Sequence, residues 1–417
     1  MNYYKLGGRV CASWLALELE RAEEDEKREV SWFLFDRDPS SSRASFAVSN
    51  KWFLYQEKED ARWLSERELE KNAQPLLAER GDIDAPLAKA IEEGKVMAVN
   101  MRHPQWPHLL RSVQKKKQRV HILALGDVGS HLLIGLHLLG ADVIESIGIF
   151  DLNPKVSARW EVEVNQIMGL EGELPRVEVI DEDALFDCDV FIFVASAGVP
   201  EVGREAGDVR MIQLEKNTAI ISSYARKARA AHFQGLFCEV ADPVDPLARA
   251  AWRASNTGED ANFDGLGLRA EQIQGYGLGV MNARATYYAQ KDPRFARFLT
   301  EGRVFGAHGK ELVVADSIER YDDEASKALT TLAIEANLRV RELGYKPFVA
   351  PAYSSGVLAI LATLRGQWHY GSVFLGGSFM GVKNRYTPHG QEHEILPLPQ
   401  KLMERILDTQ ESLRAIN

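Results

Sequence analysis

The chain has 417 residues, of which 45% are hydrophobic and 26% charged, and carries a formal net charge of −10. That length exceeds one ordinary hydrophobic core and predicts two or three globular domains. The acidic balance opposes any general attraction to nucleic acid or anionic lipid, and the basic run Lys115-Lys116-Lys117 is too short to reverse it and reads as a solvated linker.

The first residues, Met1 to Lys5, lead into only a brief apolar stretch before the charged run Arg21 to Arg28, so no secretory signal is expected. No uncharged apolar run reaches bilayer-spanning length. The three cysteines, Cys11, Cys188 and Cys238, are far apart and lack metal-ligand spacing, which predicts reduced thiols, no metal and a cytoplasmic location. Within residues 1–117, Val30 to Phe35 reads as a strand, Trp52 to Tyr55 as a second aromatic strand, and Ala85 to Glu93 as a helix stopped by Gly94. Five of the eight tryptophans (Trp14, Trp32, Trp52, Trp63, Trp106) fall here, which predicts a packed, small α+β unit rather than a disordered tail. No motif in it carries chemistry.

From Arg119 strands and helices alternate, the pattern of a parallel sheet with helices on both faces. Val120 to Leu125 reads as a buried strand, Ser130 to Leu139 as a helix and Val143 to Phe150 as the next strand. Further strands are predicted at Val190 to Ala195, Thr218 to Ser222 and Leu236 to Ala241. Asn256 to Gly267 is polar and glycine-rich and marks a boundary or inserted loop; helices at Met281 to Ala289 and Glu324 to Leu343 follow. The expected division is 1–117, an N-terminal extension; 118–258, a Rossmann-type doubly wound parallel sheet that binds a dinucleotide; and 259–417, a mixed α+β substrate domain.

A pyrophosphate needs backbone N–H groups at a helix N-terminus with no side chain in the way. Ala124-Leu125-Gly126-Asp127-Val128-Gly129 supplies that turn, with Gly126 and Gly129 in the second and third glycine positions and Ala124 in the first. Asp151 ends the next strand, about 20 to 25 residues on, where a carboxylate reads the ribose hydroxyls. An acid there repels a 2′-phosphate, so NAD is expected over NADP.

With these features the chain resembles the lactate/malate dehydrogenase family, from about Arg119 onward. The likeness rests on Ala124 to Gly129, Asp187 to Pro200, Leu214-Glu215-Lys216-Asn217, Asp242-Pro243-Val244-Asp245, Asn282-Ala283-Arg284, Gly306-Ala307-His308-Gly309 and Pro351-Ala352-Tyr353, in family order. The resemblance implies hydride transfer between NAD(H) and a small 2-hydroxy or 2-oxo acid, and a homodimer or homotetramer. It makes His308 the proton carrier, Arg284 the fork for the substrate carboxylate, and Arg210, or Arg204 in the preceding loop, the group that polarises the carbonyl. Ala197 and Gly198 join Gly126, Asp127, Val128, Gly129 and Asp151 at the cofactor. Two positions depart from the pattern. Asn282 stands where the family's carboxylate is expected to hold the histidine, and Asp242 stands where its substrate-binding asparagine is expected. This exchange leaves a second expectation open, a nucleotide-binding regulatory protein with a degenerate active site.

Overall fold

The structure is a computed structural model and describes residues 1–111, 116–170, 172–197 and 209–416; the side chains of residues 111 and 209–213 are outside that description. Residues 2–100 build one sheet from β1 (Asn2–Leu6), β2 (Arg9–Ser13), β3 (Val30–Phe35), β4 (Ser45–Ala47) and β5 (Met97–Asn100), in the order β1-β2-β3-β5-β4. Strands β2, β3 and β5 run parallel, with β1 and β4 antiparallel at the edges. Helices α1 (Glu66–Arg80) and α2 (Ala85–Glu92) cover it, and Gly94 follows α2 at φ 66°. Its core packs Phe33, Phe46, Phe53, Tyr55 and Trp63. Trp52 to Tyr55 is not a strand: Lys51–Tyr55 is a 3-10 turn, started by Asn50, whose side chain accepts a hydrogen bond from the Trp52 N–H.

A second sheet runs through the segments 118–258 and 259–417 alike. Its parallel part comprises β6 (Gln118–Leu123), β7 (Ile144–Phe150), β8 (Arg176–Val179), β9 (Val190–Phe193), β10 (Leu236–Glu239) and β11 (Ile273–Gly275). The spatial order is β8-β7-β6-β9-β10-β11, all parallel. This is the doubly wound dinucleotide-binding order, with its switch point between β6 and β9. Helices α3 (Asp127–Leu139), α4 (Pro154–Val164), α5 (Val209–Ala230) and α6 (Val244–Ser255) connect the strands. The strand expected at Thr218 to Ser222 lies inside α5. There Ile221, Tyr224, Ala225 and Ala228 are buried at helical spacing, so one-sided packing overrides the β-branched run.

After α7 (Leu278–Ala289) and the short α8 (Phe298–Glu301), the sheet continues antiparallel through β12 (Arg303–Gly306) and β13 (Leu312–Ala315). Helix α9 (Asp323–Glu342), a π-helical turn at Pro351–Val357 and α10 (Leu358–Leu364) lead to β14 (His369–Leu375), β15 (Ser378–Thr387) and β16 (Gly390–His393), and α11 (Gln400–Ala415) ends the chain's described structure. Strand β14 joins β11 antiparallel and so welds this layer to the parallel strands.

The N-terminal unit is tied to this sheet through buried polar contacts. Arg43 and Glu59 form a fully buried ion pair at 2.8 Å, and Arg43 Nη1 also donates to Gln391 on β16. The Ala44 N–H and Ser45 hydroxyl donate to the Glu271 carboxylate, just before β11. Breaking such a buried pair leaves an uncompensated charge, so these contacts fix the unit's placement.

Candidate active site

The turn after β6 approaches the start of α3 closely. A Cβ on Gly129 would lie 2.0 Å from the Ala124 carbonyl oxygen, whereas one on Gly126 would meet nothing within 4 Å. The first position demands close helix–strand contact; the second leaves open space over the helix N-terminus, as a pyrophosphate requires. Ala124 stands at φ 76°, the left-handed region in which glycine is free and alanine is strained. Asp127 and Val128 begin α3, and Asp127 is exposed and paired with Lys346 at 3.0 Å. Asp151 follows β7, accepting from the Leu125 N–H through Oδ2 and from the Asn153 N–H through Oδ1, each at 2.9 Å. It therefore ties the glycine turn to the β7 end and keeps lone pairs on both oxygens for further donors.

Across the switch point, Ala197 is exposed after β9, and its N–H donates to Asn217 Oδ1 at 2.9 Å. Asn217 is fully buried on α5, and its Nδ2 donates to the Asp242 carbonyl at 2.7 Å. One amide thus links the loops after β9 and β10. Gly198 and Arg204 lie outside the described residues, as does the side chain of Arg210, whose backbone belongs to α5.

The loop after β10 and the turn between β12 and β13 meet at His308. Its Nδ1 lies 2.8 Å from Asp242 Oδ1, with side-chain exposures of 14% and 58%. A carboxylate only accepts, so Nδ1 carries the proton of this bond and Nε2 is left to exchange one. Asn282 makes no side-chain hydrogen bond among the described residues, so the histidine's partner is the carboxylate of the exchanged pair and not the amide. Arg284, on the same helix α7, is partly buried; its Nη1 faces Met281 Sδ at 3.4 Å and its other donors have no hydrogen-bond partner among the described residues. Burial pulls the Arg284 guanidinium below its usual range, against the pull of Asp242.

Two more carboxyl groups stand behind Asp242. Glu239 is fully buried, with Oε1 accepting from the Ala241 N–H and Oε2 without a hydrogen-bond partner among the described residues. Burial, then the charge of Asp242, raises its carboxyl well above the ordinary range. Asp245 accepts from Ser372 at 2.6 Å and, more loosely, from the His308 backbone N–H at 3.4 Å. Burial pushes its carboxyl up to about 6. Gly277, which opens α7, completes the site: a Cβ there would stand 2.8 Å from His308 Cβ and 2.9 Å from Val244 Cγ2. Sequence reasoning passed over Gly277, Asn217 as a linker, and the support by Asp245. The glycine-flanked Tyr276-Gly277-Leu278-Gly279 was the available signal for the first.

Comparison with known proteins agrees with this arrangement at the level of the fold. No protein-family model matches the chain. An L-lactate dehydrogenase of Treponema denticola is 27% identical over 197 residues, 47% of this chain and 56% of that protein, so the chain spans little more than half of that relative. One from Staphylococcus epidermidis is 25% identical over 260 residues, 55% of this chain and 77% of that protein. Among solved structures, the minor L-lactate dehydrogenase of Enterococcus mundtii superposes with a TM-score of 0.58 at 18% identity, covering 72% of this chain and 98% of that one. Malate dehydrogenase of Archaeoglobus fulgidus, solved in complex with NADH, gives 0.57 at 18% identity over the same shares. The chain is therefore lactate/malate dehydrogenase-like: similar in sequence to L-lactate dehydrogenases and built on the Rossmann-type fold of that family.

Proposed function

We propose that this protein is an NAD-dependent dehydrogenase acting on a small 2-hydroxy or 2-oxo acid. The observation that supports it best is the His308–Asp242 pair at 2.8 Å together with a partly buried arginine whose guanidinium meets Met281 Sδ but donates to no oxygen acceptor among the described residues. In this reading Gly126, Asp127, Val128, Gly129, Ala197 and Gly198 cradle the cofactor, and Asp151 reads its ribose while stiffening the glycine turn through Leu125. A nicotinamide held there would supply or accept the hydride. His308 holds the proton at Nε2, donating it to a 2-oxo acid or removing it from a 2-hydroxy acid. Asp242 orients the ring and stabilises its charged form. Arg284 forks the substrate carboxylate, because a planar guanidinium matches two carboxylate oxygens. Arg210 polarises the reacting carbonyl, and Asn282 borders the site without holding the histidine. A cytoplasmic dimer or tetramer, with 1–117, 118–258 and 259–417 as its units, belongs to the same proposal.

One observation favours a second reading, a nucleotide-binding regulatory protein: the Asp242 side chain is largely exposed and puts negative charge where an anionic substrate would present its oxygen. Steady-state kinetics of the Arg284→Lys variant separates the two. A sharp rise in KM with NADH binding intact fits the carboxylate fork. An unchanged KM in an active preparation would remove Arg284 from the substrate.

A further inference from the structure

The N-terminal sheet has the topology of a ligand-binding site of its own. Its parallel strands β2, β3 and β5 present their carboxyl ends at one edge, where open parallel sheets form a crevice. At that edge lies a cavity of about 240 Å³. It is reached by Trp14, just after β2, and by Asp36 and Arg37, just after β3. Phe33, Leu54 and Leu76 supply apolar wall, and Trp14 is held by ring contacts at 4.9 Å with both Phe33 and Tyr55. The volume falls below the ~300–1,000 Å³ of drug-sized pockets and suits a metabolite of amino-acid size.

The polar groups set the sign of the ligand. Arg37 is fixed by its backbone, which exchanges hydrogen bonds with the Asn100 side chain at 3.1 and 3.0 Å. Its Nη2 donates to the Phe53 and Gln56 carbonyls, whereas Nη1 is buried and has no hydrogen-bond partner among the described residues. The guanidinium also stands over the Phe35 and Trp63 rings, 4.7 and 5.7 Å from their centroids, so one edge is tied to carbonyls while Nη1 meets ring faces and no acceptor, in a group built to pair with a carboxylate. Arg80, loosely paired with Glu79 at 3.9 Å, stands over the Trp14 ring 5.2 Å from its centroid and adds a second guanidinium. Asp36 and Glu57 are exposed and stand at the mouth.

We propose that this cavity binds a small organic carboxylate with an apolar, ring-sized body, its carboxylate on Arg37 and Arg80 and its body against Trp14 and Phe33. The inference does not rest on the dehydrogenase reading. Calorimetric titration of the 417-residue chain, with and without NADH present, with phenylacetate, L-phenylalanine and phenethylamine tests it. At least one of the two carboxylates binds, and the amine does not. Preference for phenylalanine assigns its ammonium to Asp36 and Glu57; preference for phenylacetate leaves those acids to the solvent, and both support the cavity. Arg37→Met weakens binding about tenfold or more. Leu76→Trp, which fills the cavity without touching a charge, does the same with circular dichroism and NADH affinity unchanged, and so stands in if Arg37→Met fails to fold. Arg284→Lys leaves the titration unaltered. The proposal is overturned if neither carboxylate binds, if the amine binds as tightly, if binding survives Leu76→Trp, or if it is lost with Arg284→Lys, which would place the ligand in the dehydrogenase site.

Discussion

Replacing Asp242 by Asn probes the exchanged pair directly. The substitution keeps side-chain shape and leaves the Asp242 carbonyl, which Asn217 holds at 2.7 Å, untouched, so the loop after β10 should keep its course. What changes is the bond to His308, from a charge-assisted one at 2.8 Å to a neutral one. Hydrogen bonds to charged groups contribute ~1.5–3 kcal/mol. The Asp242 side chain is 58% exposed, so solvent screening favours the lower part of that range, ~1–2 kcal/mol. If that energy acts on the protonated ring formed during turnover, kcat/KM falls roughly 5- to 30-fold. NADH affinity is expected to stay constant, because the glycine turn follows β6 whereas this pair sits after β10 and β12. The assay is steady-state NADH oxidation with the best 2-oxo acid, beside a fluorescence titration of NADH; Asp242→Ala, which offers His308 no acceptor at all, should lose at least as much. A change in kcat/KM below about twofold in both variants would refute the pairing as functional.

Three other perturbations follow from the geometry. Gly277→Ala must displace His308 or Val244, since its Cβ would lie within 3 Å of each; turnover should fall with NADH binding retained, and equal activity would show that the histidine is not placed by this contact. Asp245, pushed up to about 6 by burial, binds its proton more tightly in the folded protein than in the unfolded chain. The folded state therefore loses stability as pH rises from about 4 through 6, and Asp245→Asn, which cannot ionise, should be more stable than wild type at neutral pH by ~2–3 kcal/mol and nearly equal to it at about pH 4. Thermal melts across that range check it, and a difference independent of pH would contradict it. Asp151→Ala should weaken NADH binding by ~1.5–3 kcal/mol without improving NADPH binding to match, because the same carboxylate also fastens the Leu125 N–H of the phosphate turn; calorimetry with both nucleotides reads this out.

Much of the parallel sheet was legible because its strands are short and mostly apolar, buried on both faces throughout β9 and over most of β6, β7 and β10. The two misplaced strands show the limit of that signal. Thr218 to Ser222 has β-branched residues, yet the burial of Ile221, Tyr224, Ala225 and Ala228 follows a helical period that a five-residue window cannot display. Trp52 to Tyr55 is aromatic because it fills the core around Trp63, not because it pairs, and the Asn50 cap was its readable mark. At the site, the residue types were legible but the partnership was not. His308 and Asp242 are 66 residues apart and meet only because β12 returns beside the strands that extend the Rossmann sheet. The resemblance puts Asn282 where the family's histidine-holding carboxylate is expected, and on helix α7 its side chain makes no hydrogen bond among the described residues.

The central claim is that His308, Asp242 and Arg284 form a working proton-and-carboxylate site next to a bound nicotinamide. Its most direct test is oxidation of NADH by the purified protein over a panel of 2-oxo acids, run beside His308→Asn. The account predicts turnover of at least one 2-oxo acid by the wild type and its loss in His308→Asn with NADH affinity preserved. Tight NADH binding with no turnover of any member of the panel, or turnover undiminished without His308, would contradict it.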